Sequence, residues 1–208
     1  MPRPVRSISM RSDIVTDIRA LAHPRTAPPN APASGSAGYQ PLRCRGEVRL
    51  PTPFAVDVAR LLDIDPAVEH WRCQVPLAEA RCVAEFVTHG HGGEEHLLLA
   101  SPDRTRLEPI SLPSGTRIVT DADIDSVRLD NAKLILPYAR WRVSLDDRVR
   151  LLAVLDEESS VTLAECLGIF RHTSRPVAAV ASLALARVVD MDLDEPISSR
   201  TRVIRREA

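Results

Sequence analysis

Apolar and polar residues follow strand-like rather than helical spacing between Arg81 and Pro102, in RCVAEFVTHGHGGEEHLLLASP. The pattern predicts a strand ending at Glu85-Phe86, a Gly/His turn at His89 to Gly93, and a second, almost wholly apolar strand from His96 to Ala100. Upstream, Pro51 and Pro53 open a helix that carries Phe54, Val58, Leu61 and Leu62 on one stripe and ends at Asp65-Pro66. Val68 and Trp71 then lead into a strand at Arg72 to Val75. Downstream, Arg117 to Thr120 predicts a short strand and Thr120 or Asp121 the start of a helix; Asn131 to Tyr138 is a helix or connector stopped at Pro137 and bridging two domains. A helix, four strands and a helix in this order predict an α/β unit.

Residues 144–206 carry their own punctuation. Ser144 with Asp147 three residues on resembles a capping box for SLDDRVRLLAVLDEE, and Thr162 with Glu165 is a better one for TLAECLGIF. A third helix is expected from about Pro176 to Val189, followed by a hairpin of DMDLD, a turn around Glu195-Pro196, and TRVIRR. Three helices and a β-hairpin make the winged-helix pattern. At the other end, SDIVTDIRALAH predicts one short helix capped by Ser12 or Asp13, with Ile14, Val15, Ile18 and Leu21 to one side. The Pro-, Ala-, Ser- and Gly-rich stretch after it reads as a flexible linker. The expected organisation is therefore a basic tail over 1–45, an α/β domain over 46–140 and a winged-helix domain with a basic C-terminus over 141–208.

Composition sharpens this picture in three places. Aromatic residues make up only 3% of the 208, so the core must be aliphatic and alanine-rich. The net charge of -1 gives no bulk argument for nucleic acid, but its distribution is uneven: residues 1–45 hold seven Arg against Asp13 and Asp17, residues 46–199 are acidic, and residues 200–208 are basic again. Lys133 is the single lysine, so any chemistry that needs a lysine must use it. Cys44, Cys73, Cys82 and Cys166 form no C-x-x-C pair and follow no secretory signal, which predicts a reduced, cytoplasmic protein. No apolar run approaches the roughly 18 residues of a membrane span.

With its motifs in hand, the chain from about residue 46 to 205 resembles the TnsA-type transposition endonucleases, which join a PD-(D/E)xK nuclease domain to a C-terminal winged helix. Three stretches carry the likeness: PFAVDVARLLDIDPAVEHWRCQVPL, VAEFV where the family has P-D-F, and RIVTDADIDSVRLDNAKLILPYAR as the link into the second domain. The resemblance implies a restriction-endonuclease-like mixed sheet with flanking helices, and a site in which carboxylates hold Mg²⁺ or Mn²⁺, the metal activates water and a lysine steadies developing charge. Carried over position by position, the helix acid falls on or near Ala55, the Asp of P-D-F falls on Glu85, and the acid and lysine of the next strand fall near Leu99 and Ser101. One carboxylate cannot hold a hard cation that wants near-octahedral oxygen ligation. The resemblance thus implies a degenerate site with Glu85 as its remnant and no bound metal or cofactor. Relocated ligands would have to come from Asp57 and Glu94 or Glu95, with an Arg in place of the lysine; a two-residue shift along a helix turns a side chain by about 200°, which counts against Asp57.

Other groups remain as candidates. His89, His91 and His96 with Glu94 and Glu95 invite a zinc site, against a solvated loop tip. Cys73 and Cys82 lie on neighbouring strands within reach of each other, against the usual case of separate buried thiols. The G-H-G-G turn lacks a following helix and is no phosphate loop. In the winged helix, RPVAAVASLALARVV offers few polar groups for reading bases, so contacts to double-stranded DNA are expected from Arg171, Ser174 and Arg175 before the third helix and from Arg200, Arg202, Arg205 and Arg206 in the wing, all suited to phosphates. The Ala-rich helix suits a protein interface, either a homodimer or a transposase or AAA+ partner. These features lead to a nuclease-dead DNA-associated adaptor as the expected function, with a metal-dependent endonuclease and a pure interaction module as alternatives.

Overall fold

A computed structural model describes residues 38–77, 82–100 and 112–206. The expected N-terminal helix at 12–23, the linker after it and Ser101 lie outside the described residues. Those described fall into two compact units, 38–136 and 137–206, and the chain is a mixed α/β protein. Among them no helix is long and apolar enough to cross a membrane.

The first unit opens with α1 (Pro53–Ile64), started by Pro at its first position and by the Thr52 hydroxyl, which accepts the Ala55 N–H at 3.1 Å. Val58 and Leu62 lie on its buried face as expected, joined by Ala55 and Ala59, while Phe54 packs at the margin of the same core and Leu61 is only partly buried. The two alanines are almost fully buried, and their small side chains allow the helix to lie close against the sheet.

That sheet has the order β1 (Val68–Leu77), β2 (Cys82–Gly90), β3 (Gly93–Leu99), β4 (Thr116–Val119), antiparallel between the first three and parallel between the last two. Trp71 and Phe86 meet edge to face at 5.4 Å in the core beneath α1, joined by Leu97, Leu99 and Val119. Val87 and Leu98 alternate to the opposite face, where they pack with Leu77, Ala84 and Val75. Simple alternation would put Cys73 and Val75 on one face, yet Cys73 packs on the α1 side and Val75 on the other. The intervening Gln74 has φ +52, a left-handed conformation that breaks the pleat.

The hairpin is longer and tighter than its sequence suggests. His89 and Gly90 continue β2, paired with Glu94 and Gly93, and the turn is only His91-Gly92. Burial of Val87 and Thr88 prolongs the strand, and Gly90 is required because a Cβ there would lie 1.9 Å from the Ala67 carbonyl oxygen. After β4, Thr120 and Asp123 close a 3-10 turn, and α2 (Ser126–Ile135) starts at Asp125, whose carboxylate caps the Val127 and Arg128 N–H groups. The helix expected from Thr120 or Asp121 therefore opens as this 3-10 turn and becomes α-helical at Ser126, taking in Asn131 to Ile135 of the segment read as a helix or connector; Leu136–Tyr138 follow as a further 3-10 turn.

The second unit runs α3 (Leu145–Glu158), β5 (Ser160–Thr162), α4 (Leu163–Ile169), α5 (Pro176–Leu185), β6 (Val189–Met191), β7 (Arg202–Arg205). Its antiparallel sheet has the order β5-β7-β6, so the hairpin takes on a third short strand from between the first two helices. Thr162 and Glu165 form the full capping box at α4. Ser144 caps α3, but Asp147 does not reciprocate; its carboxylate turns instead to the Arg171 and His172 N–H groups at 2.8 and 3.2 Å. The third helix stops at Leu185, short of the expected Val189, because Arg187 adopts φ +59 and the chain closes with the Val188 N–H on the Leu183 carbonyl.

Candidate functional site

Glu85 lies on β2 with its carboxylate accepting the Leu99 backbone N–H at 3.0 Å, where the sheet opens at the end of β3. This carboxylate bridges two strands of the scaffold. Ala55 and Leu99, the positions matched to the helix acid and the next-strand acid, are buried apolar residues in the core under α1.

The relocated ligands do not gather around it. Asp57 on α1 pairs with Arg60 at 2.7 Å and with Lys133 at 3.9 Å; Lys133 also lies 3.8 Å from Asp130 on its own helix. Glu95 binds Arg117 at 2.9 Å. Glu94 sits beside His89, His96 and Arg72 at 3.4, 2.9 and 4.0 Å. Glu94 pairs across the ladder with His89, four residues along β2 from Glu85, which is about 13 Å at strand rise. No single cation spans that distance. Among the described residues no group of three His, Cys, Asp or Glu side chains is arranged to hold a metal ion.

The histidines nevertheless cluster more than their spacing implied. His70 on β1 pairs with His89, and the rings stack at 4.5 Å and 13°. His70 is held below the usual imidazole range by burial first, then by the Arg45 guanidinium and the His89 ring. His91, at the turn, is highly exposed and lies 3.7 Å from Glu69. The group is a cross-strand polar surface with Glu94 at its centre.

The candidate DNA contacts split into two sets. Arg171, Ser174 and Arg175 occupy the exposed loop between α4 and α5, with the Arg175 guanidinium 5.8 Å from the Trp141 ring. Arg200 is exposed in the turn where the Ser199 and Thr201 carbonyls receive the Ala164 and Leu163 N–H groups, at the start of α4. The seven-residue α4 therefore separates the two sets by about 10 Å. On and after β7, Arg202 donates to the Ser160 hydroxyl at 3.0 Å, Arg205 pairs with Asp156, and Arg206 reaches Asp190 at 3.3 Å. Eight of the ten residues of α5 are buried, so its side chains present no base-reading face.

No protein-family model, curated protein or solved structure matches the chain.

Two arrangements escaped sequence inspection. Cys73 does not face Cys82, because the ladder puts Leu77 opposite Cys82 and Phe86 opposite Cys73. Its thiol instead meets that of Cys44, brought in by a parallel bridge between Cys44 and Trp71. Asp63, fully buried, accepts from the Tyr39 hydroxyl at 2.7 Å, the Leu42 and Arg43 N–H groups at 2.7 and 3.0 Å and the Trp71 indole at 2.8 Å. Only the position of Asp63 on the apolar side of α1, between Leu62 and Ile64, hinted at such a role.

Proposed function

We propose that this protein is a nuclease-dead, DNA-associated adaptor related to the TnsA-type transposition endonucleases, pairing a restriction-endonuclease-like unit with a winged helix. The observation that carries the proposal is the use of Glu85. In a nuclease of that architecture the second-strand acid faces the metal, whereas here it accepts the Leu99 N–H and the companion positions Ala55 and Leu99 are core residues. The helix-strand-helix-helix-strand-strand order of the second unit, with its β5-β7-β6 sheet, supports the winged-helix assignment. Arg171, Ser174, Arg175 and Arg200 are the groups best placed for phosphates, while the acidic body would meet a protein partner such as a transposase or AAA+ regulator.

A gel shift on duplex DNA, run across ionic strengths, tests the binding half, and incubation of supercoiled plasmid with Mg²⁺ or Mn²⁺ tests the loss of chemistry. The expected result is a salt-sensitive complex without nicking. Absence of any complex at low ionic strength sinks the DNA role. Nicking that disappears in Glu85→Ala establishes the enzyme instead.

One observation favours a second reading, an interaction or dimerisation module without DNA binding. Arg202, Arg205 and Arg206 all engage partners within the protein, and α5 is closed to a groove. Self-association by light scattering together with no gel shift would select that reading.

A further inference from the structure

The two thiols of the first unit form an arranged pair. Residues 43–45 lie along β1, with the Trp71 N–H donating to the Arg43 carbonyl at 3.1 Å and the Arg45 N–H to the Trp71 carbonyl at 2.8 Å. This bridge sets Cys44 beside Trp71, and Cys73, two residues further along the strand, packs against the same core face. The two thiols lie side by side, and the Arg49 backbone N–H also reaches Cys73 Sγ. Both residues are half-buried, and Cys73 forms part of the wall of an open groove of about 460 Å³ shared with Arg45, Arg49 and Gln74.

We propose that Cys73 and Cys44 are a disulfide-forming dithiol in which Cys73 is oxidised by a hydroperoxide entering from this groove and Cys44 resolves it. Cys73 lines the groove and Cys44 does not, so Cys73 is the sulfur that the peroxide meets first. The Cys73 thiolate attacks the peroxide O–O bond, forming an S–O bond and releasing the distal oxygen as water or an alcohol after it takes up a proton. Cys44 sulfur then attacks Cys73 sulfur, the S–O bond breaks, the hydroxyl leaves as water with the proton that Cys44 gives up, and the S–S bond forms. Overall two thiols are oxidised by two electrons and one hydroperoxide is reduced. Burial pushes the Cys44 thiol up to about 12 and raises Cys73 as well, so thiolate is scarce at neutral pH. The bond would fasten residues 39–45 to β1 covalently, at the place where Asp63 already holds them by hydrogen bonds.

The test is hydrogen peroxide treatment of the full chain, followed by intact mass measurement and a non-reducing peptide digest. The expected result is loss of the mass of two hydrogen atoms, reversed by dithiothreitol, with one crosslinked species containing Cys44 and Cys73. In Cys44→Ser, dimedone should label a sulfenic acid at Cys73, and in Cys73→Ser no residue should form a disulfide. A crosslink involving Cys82 or Cys166, an unchanged mass, or oxygen addition without crosslinking overturns the proposal. The digest of the unsubstituted chain decides the matter even where a serine variant fails to fold.

Discussion

Asp63 gathers four hydrogen bonds from two separated parts of the chain, residues 39–43 and Trp71, all of them to one buried carboxylate. Hydrogen bonds to a charged group contribute about 1.5 to 3 kcal/mol each when the partner would otherwise be buried unpaired. Asn at this position keeps one carbonyl oxygen but substitutes donors for the second acceptor, so Asp63→Asn is expected to destabilise the first unit by about 3 kcal/mol. Tyr39→Phe removes a single bond and should cost only about 1.5 kcal/mol, both read from urea midpoints at constant slope. Burial, followed by the Asp63 charge, also raises the Tyr39 phenol well above its ordinary range, so it remains a donor under all ordinary conditions. An Asp on the apolar side of a helix is visible in the sequence, but its partners are main-chain N–H groups and an indole delivered by tertiary packing. Cys44 and Cys73 are hidden for the same reason. The strand that carries Glu85 was legible from its alternation, whereas the bond of Glu85 to Leu99 depends on register.

At the scale of elements, local chemistry was readable and length was not. Capping by Ser144 and by Thr162 with Glu165 needs only residues three apart, and both caps form. The hairpin turn, by contrast, depends on what lies across the strand. Gly90 is there to admit the Ala67 carbonyl, whereas Gly92 meets nothing within 4 Å. Gly90→Ala should therefore lower stability by about 2 kcal/mol or more as backbone is forced apart, with Gly92→Ala close to neutral; thermal melts of the two variants make the comparison. Asp147 gives an element-level pH dependence. Burial pushes its carboxyl up, but bonds from the Arg171 and His172 N–H groups and from Ser144 outweigh it, leaving the folded value below the ordinary range. Folding thus favours the ionised form. The associated stability is fully present above the unfolded aspartate value of about 3.9 and is lost as pH falls through the folded value. Asp147→Asn should lose about 2 kcal/mol at neutral pH and show a shallower decline in stability below pH of about 4, measured by urea unfolding across pH.

For the whole molecule, the order of elements and the acidic body between basic ends followed from the sequence, while the fate of individual charges did not. Counting arginines in the C-terminal hairpin suggests a basic surface, but Arg202, Arg205 and Arg206 each have a partner within the protein. Arg171, Arg175 and Arg200 pair with no carboxylate among the described residues, and residues 1–37 add five further arginines. Each phosphate neutralised contributes about -0.9 to the slope of log K against log salt. If the proposed DNA contact uses those three side chains, a chain starting at residue 38 should bind duplex DNA with a slope of about -3, and the full chain more steeply. Replacing Arg171, Arg175 and Arg200 by alanine in the shorter chain should then bring the slope close to zero, whereas Arg205→Ala should leave it nearly unchanged because that side chain already neutralises Asp156. Fluorescence anisotropy on a labelled duplex between low and moderate salt measures all four. A slope that survives the triple substitution would move the DNA interface away from the second unit, and a large effect of Arg205→Ala would show that β7 releases its internal pair to bind.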